Sequence, residues 1–383
     1  MTTEVLVVGA GPAGSVAALV LARAGVLVRL IDRARFPRDK LCGDTVNPGT
    51  LAMLERLGIA DRVRERAVPI TGMSITGPGG TCVSASYPAG IAGVALTRRE
   101  LDAVLLEAAT AAGVIFDEGV SVRAPVVATG ATRVKGARIS AGGRDHDHDA
   151  RIVIAADGRH STLAFGLGLA RYAAAPKRWA FGAYFTGVDG LSSRGEMHVR
   201  PGGYIGIAPL PGGIANVCVV LERENMLRME RPDGVLIEAL HRDIELADRF
   251  AHARQVSGTT ALGPLAVDCD ASGCPGLLLA GDAAGFIDPM TGDGLRFAIR
   301  GGELAAQAAL RELSTGEPAH ATLRSDRARE FGAKWRMNRG LRAMVASPRA
   351  VHAATWLSRG WEAPVRLLIR LAGDINLVRQ HAS

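Results

Sequence analysis

The apolar positions change period along the chain. Residues 5–8, inside EVLVVGAGPAGSVAALVLARAG, form a short continuous apolar run, the pattern of a strand buried on both faces. A glycine turn follows. The alanine-rich residues 13–24 then take helical spacing up to Gly25, a suitable helix stop. VLVRLID predicts a second strand. PGTLAMLERLGI predicts a helix opened by Pro48 and ended by Gly58. TRRELDAVLLEAATAAGV predicts another, with Thr97 and Glu100 as a capping box.

Residues 71–94 and 179–222 read differently. They are punctuated by Gly and Pro and rich in strand formers; WAFGAYFTGV, MHVRPGGYIGIAPL and IANVCVVLE predict antiparallel strands with turns at Pro201–Gly203 and Pro211–Gly213. From Pro264 the α/β pattern returns as strand, loop and a long helix from about Leu295. The last sixty or so residues read as helical, with a break near Ser347-Pro348. The expected fold is α/β, α+β overall. A Rossmann-type nucleotide domain is built from residues 1–70, 95–170 and 264–320, an antiparallel β-rich substrate domain from 71–94 and 171–263, and a C-terminal helical segment from 321–383.

Composition narrows this little, except at the end of the chain. Apolar residues make up 48%, enough for a sizeable core. No window holds about 18 apolar residues without charge, so no spanning helix is expected. MTTEVLVV has no basic region before its apolar run, so it is expected to be a strand rather than a signal peptide. Five scattered cysteines, Cys42, Cys82, Cys218, Cys269 and Cys274, argue for a reducing, cytoplasmic setting. Neither they nor His146-Asp147-His148, read as part of a polar turn, make a metal site. The net charge is +7, but residues 321–383 hold 12 Arg/Lys against 4 Asp/Glu. These basic helices are candidates for peripheral membrane contact; nucleic acid is not an expected partner.

Three motifs carry chemistry. Gly9-Ala10-Gly11-Pro12-Ala13-Gly14 is a GxGxxG between strand and helix. Gly9 permits the turn, Gly11 lets a pyrophosphate reach the backbone, and Gly14 lets the helix pack closely. The helix start adds free N–H groups and a partial positive charge. Asp32 closes the second strand where an acid would bind a ribose hydroxyl. Asp157-Gly158 and Gly281-Asp282 each follow an apolar strand, at the sheet edge where open α/β folds bind ligands.

In that order, GAGPAG with Asp32, Asp157-Gly158 and Gly281-Asp282 resemble the three fingerprints of the para-hydroxybenzoate-hydroxylase type of flavoprotein. That fold also houses geranylgeranyl reductases and flavin-dependent halogenases. The resemblance implies FAD as cofactor. Its pyrophosphate would lie on Gly9, Gly11 and Gly14 with Pro12 and Ala13 between them. Its adenosine ribose would lie on Asp32, beside Arg33. Arg98, Asp157, Gly281 and Asp282 would complete the cofactor contacts. Pro289, Gly292, Gly294 and Leu295, in DPMTGDGL, would touch the isoalloxazine; Met290 reads as packing.

The loop RFPRDKLCGDTVNP, residues 35–48, is similar to the Cys-Gly-Gly loop of the geranylgeranyl reductases and to the Gly-Glu-x-x-x-Pro segment of the halogenases. Cys42 and Asp44 are therefore the catalytic candidates, Asp44 as proton donor; each also reads as a packing or turn residue. Tyr204-Ile205-Gly206-Ile207-Ala208-Pro209 resembles the Tyr-x-Trp-x-Phe-Pro box of geranylgeranyl reductases. Residues 204, 206 and 208 share one strand face, so Gly206 and Ala208 in place of two aromatics predict a roomier pocket, with Pro209 at its edge.

The branch best matched is geranylgeranyl-reductase-like: hydride transfer from reduced flavin to a carbon–carbon double bond of a bulky hydrophobic small molecule. The alternative is a monooxygenase acting on a bulky or aromatic substrate through a C4a-hydroperoxide. A halogenase or a non-enzymatic flavoprotein partner ranks lower. With one dinucleotide fingerprint, taken by FAD, the reductant is expected to be NAD(P)H bound transiently or a separate electron donor.

Overall fold

The parallel sheet is organised around Thr3–Val8, which pairs with Val28–Asp32 on one side and Arg144–Ala155 on the other. Leu277–Leu279 and Ile115–Glu118 extend it in parallel, and Gly273–Cys274 closes one edge antiparallel. Val5, Leu6 and Val7 are fully buried, as the unbroken apolar run requires of a strand covered on both faces. The computed structural model describes residues 3–128, 130, 132–174, 177–222, 232–360 and 362–380.

Local signals set the helix starts. Asn47 caps Pro48–Arg56 by accepting from the Thr50 N–H at 2.8 Å. Thr97 caps Arg98–Ala111 by accepting from the Glu100 N–H at 3.2 Å. The long helix Gly294–Thr315 stops at Gly316, whose φ of +76° is left-handed.

Strand Arg144–Ala155 does two jobs. Residues 150–155 sit in the parallel sheet, while 144–149 pair antiparallel with Val134–Ala141, which in turn pairs with Ser121–Val127. His146-Asp147-His148 therefore lies in a strand rather than a turn; the turn is at Gly142-Gly143. Residues 144–147 and 149 are exposed, and Asp147 pairs with Arg138 at 2.7 Å.

The second large sheet runs, in order, Arg254–Gln255, Arg178–Thr186, Ile214–Glu222, Gly203–Leu210, Arg194–Arg200, Gly72–Gly77 and Thr81–Ser86, with Thr260–Leu262 on the second strand. Segments from before and after residues 87–177 thus join one sheet. It is antiparallel apart from one pair: Arg194–Arg200 runs parallel to Gly72–Gly77. Thr45–Val46, Val68–Ile70 and Gly93–Ala95 form a small third sheet between the two.

Four helices end the described chain: Ala319–Val345, Pro348–Gly360, Ala363–Ala372 and Ile375–Gln380. Asp374 anchors them, accepting from Arg296 at 3.0 Å and Lys334 at 2.6 Å. Among the described residues no helix is long and apolar enough to cross a membrane.

The first helix, Pro12–Arg23, and helix 294–315 cross almost backbone to backbone. A Cβ on Gly302 would fall 2.2 Å from the Ala13 carbonyl oxygen. Gly302→Ala should push these helices apart and cost about 1–3 kcal/mol, measured by denaturant unfolding; an unchanged midpoint would contradict the close crossing.

Candidate active site

The glycine motif is built by mutual contact. A Cβ on Gly14 would lie 1.8 Å from the Gly9 carbonyl oxygen, and one on Gly9 2.4 Å from that of Ala156. Gly9 also has φ +98°, so a side chain there is excluded twice over. This presses the start of helix 12–23 against the end of strand 144–155. No side chain caps that helix start, and Gly11, Pro12 and Ala13 face a cavity of about 370 Å³.

Around this end of the cavity stand Lys40, Arg98, Arg159 and Asp282. Arg98 is buried and holds Asp102 with two bonds, 2.8 and 2.9 Å, while Arg38 reaches the same carboxylate at 3.0 Å. Burial first, and Arg98 second, lower the Lys40 pKa; burial lowers that of Arg159. Three cations and an uncapped helix N-terminus fit a diphosphate, which would restore the lost solvation of each. Asp157 bonds the Thr162 N–H at 2.9 Å with one oxygen, and its other oxygen is buried without a partner. Burial raises its pKa. Asp157 is off the cavity wall, between the lining residues Ala156 and Gly158, and its bond to Thr162 ties the start of the next short helix to this turn.

The remaining cofactor candidates divide. Gly281, Pro289, Gly292, Gly294 and Leu295 line the same cavity. A Cβ on Gly281 would approach that of Ala13 to 2.8 Å, which is why the third motif needs a glycine where it meets the first. Asp32 is off the cavity wall: its two oxygens accept from the Ala10 N–H at 2.7 Å and the Ala34 N–H at 2.8 Å. It fixes the glycine turn. Arg33 is exposed and also off the wall.

Beyond the cofactor end the cavity is apolar. Met73, Ile75, Val83, Met197, Val199 and Leu262 supply its sides. Tyr204, Gly206 and Ala208 face it together, Ile207 touches it as well as the core, and Ile205 packs into the core behind the sheet. Pro209 is not on the wall, because it lies on the opposite strand face. Gly206 sits in an unbroken ladder, opposite Met197 and Cys218. A Cβ there would meet nothing nearer than 3.9 Å, so the missing side chain is open space. The Tyr204 hydroxyl donates to Asp288 at 2.6 Å, and Arg178 holds the other Asp288 oxygen at 3.0 Å. This buried group braces the 288–295 loop.

The loop of residues 35–48 separates the two catalytic candidates. Cys42 lines the cavity, and burial raises its thiol pKa. Asp44 does not line it and is 1% exposed. It is left-handed at φ +53°. Its carboxylate accepts from the Asn216 amide at 2.6 Å, the Tyr184 hydroxyl at 2.9 Å and the Arg98 N–H at 3.1 Å. Asp44 is therefore placed as a clasp between loop, helix and sheet, and its donor Asn216, which lines the cavity, also bonds the Cys42 carbonyl at 2.8 Å. Direct proton donation from Asp44 does not fit this placement.

Several wall residues carry weaker sequence signals. Asn216 and Cys218 interrupt an otherwise apolar buried strand, and they sit opposite Ala208 and Gly206. An asparagine inside VCVV-type alternation was the available clue. Lys40 and Arg159 sit beside motifs but belong to no pattern. Among the described residues no group of three or more His, Cys, Asp or Glu side chains is placed to hold a metal ion.

A parallel sheet with a glycine turn, two further strand-end motifs and a second sheet over the shared cavity defines an FAD-binding flavoprotein. The chain belongs to the FAD binding domain family, whose model matches residues 2–337. It is 31% identical over 329 residues to a menaquinone reductase from Mycolicibacterium smegmatis, covering 79% of this chain and 75% of that one. It is 31% identical over 323 residues to a digeranylgeranylglycerophospholipid reductase from Methanosarcina mazei, covering 82% and 76%. A geranylgeranyl bacteriochlorophyll reductase-like structure from Thermoplasma acidophilum shares the fold with a TM-score of 0.75 at 23% identity, over 98% of this chain and 99% of that one. The flavin-dependent brominase Bmp2 does so with 0.85 at 19%, over 97% and 94%. The chain is an FAD-dependent oxidoreductase.

Burial pushes the Asp44 pKa up to about 7, against the opposing pull of Tyr184, Asn216 and Arg98. The folded state binds the proton more tightly than the unfolded chain. The resulting stability is present below about pH 4 and lost as pH rises through about 7. Relative to Asp44→Asn, the wild type should lose roughly 4 kcal/mol between about pH 4 and about pH 8. Unfolding of both proteins across that range checks this; parallel curves would refute it.

Proposed function

We infer that the protein reduces a carbon–carbon double bond of a bulky, prenyl-type hydrophobic substrate. The observation that carries this reading is the continuity of the cavity. Its charged end, at Gly11–Ala13, Arg98 and Asp282, opens into a chamber whose walls are almost wholly apolar. A long hydrocarbon gains from leaving water there along its whole length, about 0.8 kcal/mol per buried methylene. The names of the two relatives, a menaquinone reductase and a digeranylgeranylglycerophospholipid reductase, support the same reading.

When bound and reduced, FAD supplies the hydride for one alkene carbon; the other carbon takes a proton. The acid in the 35–48 loop that faces the cavity is Cys42, whose raised pKa keeps it a thiol at neutral pH. Asp44 holds that loop by its three hydrogen bonds. Pro289–Leu295, braced by Asp288, Tyr204 and Arg178, position the cavity floor. NAD(P)H or a separate electron donor supplies the two electrons of each cycle.

The open position at Gly206 favours a second reading, oxygenation of a bulky ring system. Turnover under isotopically labelled O₂ separates the two. A saturated product without label, formed also under anaerobic conditions, supports the reductase; label in the product overturns it. Cys42→Ser should lower the reduction rate roughly 10²-fold, the usual scale for loss of a positioned acid, with FAD content unchanged. An unaltered rate would remove Cys42 from the proton path. Gly206→Phe should fill the chamber and raise KM for the bulky substrate while FAD still binds; unchanged KM would place the substrate elsewhere.

A further inference from the structure

We propose that the outer faces of the last two long helices dock on an anionic phospholipid bilayer, so that the roof of the cavity is also the membrane contact. Helix 363–372 has two apolar faces. Val365, Leu368, Ile369 and Ala372, spaced at helical intervals, look into the cavity. Leu367 and Leu371 look outward and are 57% and 43% exposed. Arg366 and Arg370 stand beside them, also exposed. Helix 348–360 repeats the plan: Val351 and Ala354 face the cavity, while Trp356 is 72% exposed and Arg349 faces solvent.

A helix buried by one face normally carries polar residues on the other. Here an exposed tryptophan and two leucines sit among arginines, the composition of a helix that lies in a headgroup layer. The charge supports lipid rather than another protein face. Among the described residues of these two helices Arg349, Arg366 and Arg370 are exposed, and Glu362, which precedes the second helix, pairs with Arg366 at 2.7 Å. Such a patch attracts an anionic surface. No spanning segment is needed. The two apolar sets lie on opposite sides of one helix, so a single helix thickness separates the apolar chamber from the bilayer. This part of the proposal rests on the reading of a hydrophobic substrate; the docking itself does not.

The test uses the full-length FAD-loaded protein with vesicles of phosphatidylcholine plus phosphatidylglycerol and with phosphatidylcholine alone. Co-sedimentation should favour the anionic vesicles at least tenfold, and added salt should weaken it. Leu367→Ser/Leu371→Ser should lower vesicle binding about tenfold, with bound FAD and unfolding temperature unchanged. Arg366→Gln/Arg370→Gln should reduce the preference for anionic vesicles. Equal sedimentation with and without vesicles would overturn the proposal. So would self-association that the leucine variant abolishes while vesicle binding stays absent. Because vesicle binding needs no turnover, failure to reduce a prenyl substrate leaves this outcome readable, and the reverse also holds.

Discussion

The site depends on close approach at three glycines. Gly14 must lie against the Gly9 carbonyl, Gly302 against the Ala13 backbone, and Gly281 against the Ala13 side chain. Each contact admits no Cβ. Together they bring the first strand turn, the 281–284 turn and helix 294–315 to one point, from segments almost three hundred residues apart. The helix N-terminus can face a ligand only because these neighbours do not cover it.

The second sheet is held to this point by polar contacts instead. Arg178 and Tyr204, both on its strands, grip Asp288 in the cofactor loop. Tyr184, on the same strand as Arg178, and Asn216, on the neighbouring one, grip Asp44. Both carboxyl groups are buried, so removing one partner leaves a buried polar group unsatisfied, which costs more than the hydrogen bond contributed. Apolar packing closes the cavity; these two acids fix the register between its halves.

The sequence made much of this legible, and the limits have physical causes. Strands with continuous apolar runs, the capped helices at Pro48 and Arg98 and the three glycine–aspartate motifs depend on neighbours near in sequence. The shared orientation of Tyr204, Gly206 and Ala208 follows from strand period alone. The placement of Asp44 off the cavity wall does not: it depends on a left-handed residue in an irregular loop and on donors 140 and 172 positions away. Asp32 sits where an acid was expected, yet its oxygens are used by the turn itself. The antiparallel meander of 121–149 also went unread, because its strands are half exposed and lack strong alternation.

The roof of the chamber is made from the end of the chain. Every segment that forms the charged end of the cavity is complete by Thr315, whereas Leu368 and Ile369 come much later. During synthesis from the N-terminus, the nucleotide end therefore emerges and can fold while the chamber still lacks its ceiling. The order of the chain thus provides an interval in which a large cofactor meets an open trough, before the final helices turn it into an enclosed room.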